Sequence, residues 1–378
     1  MHRFAVHTIG ALSLLLTLAA TPAGAQIVVG VSTAMNTSFG KEVADGARLA
    51  VDEINEHGGV LGKKIELIIG DDGCSPPRAA VLTQELIERN KVAVVIGYPC
   101  AGAALAARSV ATNSKTLMIA LASEPALTTK DSFFVLRPIG REDRLATTAA
   151  AYLKASFGGK KVGALLSEAP SGIGRSLRAA TNVQFPLQQI ETARPDATEF
   201  GWVKNVDVLV AAGVAPQLVE RIVRQYDGLS VVLVTSVVSE PHYAVLAASK
   251  RAAVIANPNA SFFTGAKAVV EGAKKQNAAV NGYFIYAYAA VQIFANLANR
   301  AGKVSGDALA QLARGEPVSS VLGSLKFDSS GDPLGWRFAL FSDGPEGSVK
   351  PLELSAVDLC KTDQCSQLDY CNKPCPNN

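Results

Sequence analysis

Residues 27–72 read IVVGVSTAMNTSFGKEVADGARLAVDEINEHGGVLGKKIELIIGDD. Ile27 to Val31 is a short apolar run of strand length, and Ser32 to Gly40 is a loop. From Lys41 to His57 the apolar residues fall at Val43, Ala47, Ala50, Val51 and Ile54. That spacing puts them on one helical face, and Gly58 with Gly59 supplies the stop. Lys64 to Ile69 is the next strand. Outward from this unit the alternation continues with a helix over Arg78 to Asn90, a strand over Val92 to Gly97, a helix over Ala101 to Asn113 and a strand over Thr116 to Leu121. Such alternation predicts a parallel sheet wound with right-handed crossovers.

The pattern then restarts. Helix 142–157, strand 161–166, a helix near 174–180, strand 206–212, helix 216–226, strand 231–235 and strand 252–256 make a second α/β lobe. Two further helices, Gly265 to Lys275 and Gly282 to Ala301, precede strand-like runs at Leu325 to Phe327 and Trp336 to Phe341. The fold class is therefore α/β, with two doubly wound parallel-sheet lobes. Their linkers are sought at Pro138 to Arg141, Asn257 to Thr264 and Asp328 to Pro333, which carry the Gly, Pro, Asn and Ser that a turn tolerates.

The chain has 378 residues and a formal net charge of +3, with Lys and Arg scattered among acids. No basic block points to nucleic acid. Residues 1–25 combine a basic start, an apolar core from Ile9 to Ala20 and a small-x-small end, the pattern of a Sec-type signal peptide cleaved after Ala25. The alternative is a membrane anchor, but a span needs roughly 18 or more apolar residues and this core is shorter. The expected location is the periplasm, and the mature protein is expected to be a monomer.

Six cysteines in an exported chain predict disulfides. Cys74 and Cys100 stand apart from Cys360, Cys365, Cys371 and Cys375, which lie in a polar tail over residues 357–378. The tail spacing, C-x4-C-x5-C-x3-C, lacks the C-x2-C pairs of a zinc knuckle and favours two disulfides. This tail is either a stapled terminus or a docking element for a periplasmic partner.

No catalytic constellation stands. After cleavage only His57, beside a helix-stopping Gly pair, and His242, in a loop after Glu240-Pro241, remain of four histidines. The run from Gly59 to Lys63 has two residues between its glycines where a phosphate loop needs four. Gly172-Ile173-Gly174 lacks the third glycine of a dinucleotide site. Asp71 and Asp72 are adjacent, so as strand residues they point apart and cap the following turn. The expectation is a binding protein, not an enzyme, with no metal and no cofactor.

The segments Gly46 to Asn55 with Gly58-Gly59, Asp71 to Cys74, Val94 to Cys100, Tyr286 to Gln292, Leu322 to Asp328 and Gly331-Asp332 together resemble the leucine/isoleucine/valine-binding protein family, the amino-acid receptors of ABC importers. The resemblance implies a type I periplasmic binding protein fold with three crossovers, lobes at 26–139 plus 262–327 and at 140–261 plus 328–356, and ligand held between them. It also implies a Cys74–Cys100 bridge at the rim and a membrane permease as partner.

Ligands of open α/β sheets sit beyond the carboxyl ends of the strands, where helix N-termini aim N–H groups at them. Such ends are expected at Ala101-Gly102-Ala103 and at Ala122-Ser123. By resemblance, Ala101 stands where the family has a serine, Ser123 matches its second-loop hydroxyl, and Phe39 is the aromatic that covers the ligand. In the second lobe Ser171, Val214 and Val237 stand where amino-acid receptors place two aromatics and the glutamate that holds the ammonium. An apolar residue does not neutralise a buried ammonium. The ligand is therefore expected to be a small carboxylate without an α-ammonium, or a neutral polar molecule, unless Glu124 or Glu240 supplies the charge. The function expected is a solute receptor for import, the alternative a sensor or accessory protein using the same cleft.

Overall fold

Two sheets organise the chain in the computed structural model, which describes residues 26–167, 172–192, 200–278, 280, 282–343 and 349–353. The signal segment, Ser171 and the four tail cysteines lie outside the described residues. The first sheet is built from β1 (Ile27–Thr33), β2 (Ile65–Asp71), β3 (Val94–Gly97), β4 (Leu117–Ala120) and β5 (Val135–Leu136), in the order β2-β1-β3-β4-β5 with every pairing parallel. Every residue of β3 and β4 is buried. A sheet covered on both faces needs that unbroken apolar run in place of an alternating one. The helices α1 (Ser38–Glu56), α2 (Pro76–Glu88) and α3 (Ala101–Asn113) make the crossings.

Helix α1 starts where the Thr37 hydroxyl accepts a hydrogen bond from the Gly40 N–H at 3.0 Å. It packs on α9 (Phe284–Ala301), and Gly46 permits the approach, since a Cβ there would lie 2.2 Å from the Phe284 carbonyl oxygen. Asp71 and Asp72 cap the turn after β2, Asp71 accepting from the Met35 and Gly73 N–H groups and Asp72 from that of Cys74. Cys74 is bonded to Cys100, with the Cα atoms 5.5 Å apart. The bridge ties the loop after β2 to the start of α3.

The second sheet contains β6 (Val162–Leu166), β7 (Gln189–Thr192), β8 (Val208–Ala212), β9 (Ser230–Val234), β10 (Ala252–Ala256), β13 (Ala339–Asp343) and β14 (Val349–Glu353), in the order β14-β13-β10-β9-β8-β6-β7. Its last two strands run antiparallel to their neighbours. The helices of this lobe are α4 (Glu142–Phe157), α5 (Ile173–Gln184), α6 (Pro216–Gln225) and α7 (Glu240–Ala248). Helices α8 (Ala266–Lys275) and α10 (Gly306–Gly315) flank α9, and β11 (Val318–Ser320) pairs with β12 (Gly323–Leu325) as a separate two-stranded ribbon.

Several elements differ from the sequence reading. Strand β5 has two residues, and no periodicity exists at that length. His242 lies in α7, not in a loop: Pro241 occupies the first turn, where a missing N–H costs nothing. Trp336 precedes β13, its ring buried and its indole N–H donated to Asn257.

The chain crosses between the sheets after β5, after β10 and after β12, and side chains bind these crossings together. The Asn257 Oδ1 of the second crossing accepts from the Gly140 N–H of the first at 2.8 Å and from the Trp336 indole of the third at 2.7 Å. A Cβ on Gly140 would fall within about 2.6 Å of Trp336, Asn257 and Phe338, so the knot is closed to any larger residue. Beneath it, Asp332 accepts from Arg137 at 2.6 and 2.9 Å, from Thr128 at 2.7 Å and from Arg141 at 3.1 Å. Arg137 and Asp332 side chains are both 0% exposed. Burial pulls the Arg137 pKa down, and the Asp332 charge opposes the shift.

Removing one member of a buried pair strands the other charge, so Asp332→Ala is expected to destabilise the protein by about 3–5 kcal/mol, while Arg48→Ala, at an exposed pair, costs less than ~1 kcal/mol. Urea unfolding followed by circular dichroism measures both, and equal effects would contradict the assignment. Cys74→Ser with Cys100→Ser is expected to lower stability by about 2–4 kcal/mol, read in the same assay.

Candidate functional site: the interlobe cleft

A cleft of about 390 Å³ lies between the lobes at the carboxyl ends of both sheets. That volume suits a small molecule. From the first lobe come Ser38, Phe39 and Glu42 after β1, Pro99 and Ala101 after β3, and Ala122, Ser123 and Glu124 after β4. Ser167 after β6, Gly172 to Gly174 at the start of α5, Gly213 after β8, and Thr235 to Val237 with Ser239 and His242 after β9 form the opposing wall. Glu142 enters from the first crossing and Tyr283 from the residue before α9. Each strand end delivers its loop to one side because parallel strands all finish there.

The hydroxyls of Ser123 and Ser236 meet at 2.8 Å and join the lobes directly. Helices α3 and α5 begin at the cleft with no side chain capping them, which leaves first-turn N–H groups near Ala101 and Ile173 available to a ligand acceptor. Phe39 leans on Tyr283, with ring centroids 6.0 Å apart and planes at 54°.

The charge of the lining is one-sided. Glu42, Glu124 and Glu142 are all buried, and among the described residues no lysine or arginine lines the cleft. Glu42 accepts from the Tyr283 N–H at 3.0 Å. Glu142 accepts from Ser123 at 3.2 Å, from Ser176 at 3.3 Å and from the Gly172 N–H. Burial, and next the nearby Glu124 charge, push the Glu142 carboxyl above its ordinary range. Glu124 accepts from the Ala126 N–H through Oε1, and its Oε2 is buried without a partner among the described residues. The Tyr283 hydroxyl is pushed up by burial, then by Glu42 and Glu142.

His242 is brought down to about 4 by burial. Its Nδ1 accepts from the Ser239 N–H at 3.2 Å, so the neutral ring carries its proton on Nε2. Among the described residues no three acids, histidines or cysteines are arranged to hold a metal ion.

The residues expected from sequence are unevenly placed. Phe39, Ala101, Ala122, Ser123 and Val237 line the cleft. Gly102 does not; a Cβ there would meet Pro76 at 3.0 Å, so it faces α2. Val214 packs on the second-lobe core one residue beyond the lining Gly213. Ala122-Ser123 leads into a single 3-10 turn, Pro125–Leu127, and not into a helix N-terminus. Sequence reasoning missed Glu42, Glu142, His242 and Tyr283. Glu142 opens α4, where an acid usually answers the helix dipole, and Glu42 lies further along α1, where the spacing of apolar residues does not tell which polar one faces a cavity.

Residues 26–334 match the model of the family described as periplasmic binding protein. An amino acid binding protein of Pseudomonas aeruginosa is 26% identical over 338 residues, covering 82% of this chain and 88% of that one. The Leu/Ile/Val-binding protein BraC3 of Rhizobium johnstonii is 26% identical over 350 residues, covering 87% and 95%. Among solved structures, the branched-chain amino acid transporter substrate binding protein LivJ of Streptococcus pneumoniae, in complex with isoleucine, superposes with a TM-score of 0.74 at 23% identity, covering 87% of this chain and 99% of that one. At that identity the superposition speaks for the fold. With the family match spanning both lobes and the hinge, the chain belongs to the periplasmic binding protein family, whose members are solute-binding proteins rather than enzymes, and it stands among the relatives of the Leu/Ile/Val-binding proteins.

Proposed function

We propose that the protein is the solute receptor of an ABC importer: it is exported, loses residues 1–25, and closes its lobes, 26–139 plus 262–327 and 140–261 plus 328–356, around a small polar molecule that it hands to a membrane permease. The observation that carries this reading is the cleft itself, walled by loops of both lobes that already touch through Ser123 and Ser236. A solute held there contacts both walls and so favours the closed form over the open one. Phe39 covers the solute from one side, Val237 supports it from the other, and the N–H groups at Ala101 offer donors to its oxygen atoms.

Export places the protein in a compartment without buffering by the cell, so the cleft's response to pH matters. His242 titrates near 6.5 when unfolded and at about 4 when folded. Between those values the unfolded chain holds a proton that the folded one does not. Its contribution is complete above pH 6.5 and declines as pH falls towards 4.

Uptake measurements in a strain lacking the gene test the transport role: the solute that stabilises the purified receptor must enter more slowly in the deletion strain, and unchanged uptake would defeat the proposal. At 100 times its dissociation constant that solute is expected to add about 2.7 kcal/mol to the unfolding free energy. Filling the cleft with Ser236→Trp should abolish the gain. His242→Gln is expected to flatten the loss of stability between pH 6.5 and 4, measured by thermal melts across that range; parallel curves for variant and wild type would refute the role given to the imidazole.

A further inference from the structure

The sequence points away from an ammonium in the cleft because Val237 stands where a second-lobe glutamate was sought, unless Glu124 or Glu240 supplies the charge. The cleft's electrostatics point the other way, through different residues. Its acids come from the first lobe and the first crossing: Glu42 in α1, Glu124 after β4 and Glu142 at the start of α4.

Each acid has a local partner, and the partners of Glu124 and Glu142 are neutral donors. Glu124 is the clearest case. One oxygen caps the 3-10 turn through the Ala126 N–H, a duty that a neutral Ser or Asn performs equally well. The other oxygen is buried, unpartnered among the described residues, in a side chain of a residue only 4% exposed that lines the cavity. A desolvated carboxylate oxygen without a donor is costly, and a native fold that keeps one calls for a partner at that place. Arg137 does not relieve it. That guanidinium donates to the Ala122 and Glu124 carbonyls behind the loop, but its charge is matched by Asp332. Arg141 is likewise spoken for by Asp143 and Asp332. The upward push on the Glu142 carboxyl reports the same excess of negative charge. Two buried carboxylates beside one cavity are a counter-charge that a protonated amine fits, through charge-assisted hydrogen bonds.

We infer that the cleft selects a ligand bearing a cationic nitrogen, a protonated amine, whose charge is taken up by Glu124 and Glu142, and that a ligand carboxylate is dispensable. The inference rests on the receptor reading above and narrows it. The buried Glu124 Oε2 supplies the missing acceptor, Glu142 supplies the second, and Phe39 and Tyr283 offer aromatic surface to the carbon skeleton. A simple carboxylate would instead enter against the like charge of these acids.

The test uses the mature protein and two matched sets of probes at pH 7.5: L-leucine, 3-methylbutylamine, 4-methylpentanoate and 3-methylbutanol, then L-phenylalanine, 2-phenylethylamine, 3-phenylpropanoate and 2-phenylethanol. Thermal shift is followed by calorimetric titration of those that stabilise. The expected result is stabilisation by the amine of at least one set, with the matched carboxylate and alcohol inert. Glu124→Gln, which keeps the Oε1 cap, and Glu142→Gln should each weaken amine binding by about 30-fold or more. Their unliganded melting temperatures show that the fold survives. Carboxylates that stabilise as well as amines, an amino acid that stabilises while its amine does not, or amine binding untouched by Glu124→Gln would each overturn the inference while leaving the receptor reading intact. Failure of every probe would overturn both.

Discussion

The carboxylate of Asp332 is the charge on which the two-lobed arrangement depends. It sits in the third crossing and binds Arg137 and Arg141 of the first, with no exposure of its own side chain or of Arg137. Buried ion pairs contribute little net stability beside an apolar replacement, but they tolerate only one geometry. Here that geometry fixes the register in which the crossings lie side by side. Asn257 completes the arrangement by accepting from Gly140 and Trp336, so all three crossings meet at one amide oxygen.

How much of this was legible in the sequence follows from the length of each signal. The helices 101–113 and 142–157 and the strand 252–256 stand where their periodicity put them, because each repeats its pattern long enough to be distinguished. The two-residue strand β5 and the strand β7, of mixed burial at the sheet edge, carry no such pattern. The short helix α7 was obscured by Pro241, which marks a turn in a loop and a first turn in a helix with equal ease. The hinge segments carried their turn residues at 138–141, 257–264 and 328–333, but the contacts between them were not legible: Arg137 and Asp332 lie 195 residues apart, Gly140 and Asn257 117, and nothing local announces that either pair meets.

The site was half legible for a different reason. Loops at the carboxyl ends of parallel strands are predictable places for a ligand, which is why Phe39, Ala101, Ala122, Ser123 and Val237 stand along the cleft. The source of the charge was not. Resemblance directs attention to the positions that other receptors use, and Val237 at one of them pointed away from a charge, with Glu124 or Glu240 weighed as substitutes. Glu142 opens a helix, where an acidic residue is unremarkable by itself, Glu42 lies within α1, and the three acids are informative only because they face one cavity.

The disulfide between Cys74 and Cys100 anchors the mouth of α3 to the loop after β2, while the facing wall is made of loops with no covalent tie among the described residues. One wall of the cleft is thereby a fixed reference and the other a replaceable one. The loops after β6 and β8 hold neither member of the Arg137–Asp332 pair, so a substitution there reshapes the wall and leaves that pair in place, whereas the loop after β9 accepts from Asn257 at Ser236 and passes any change on to the hinge.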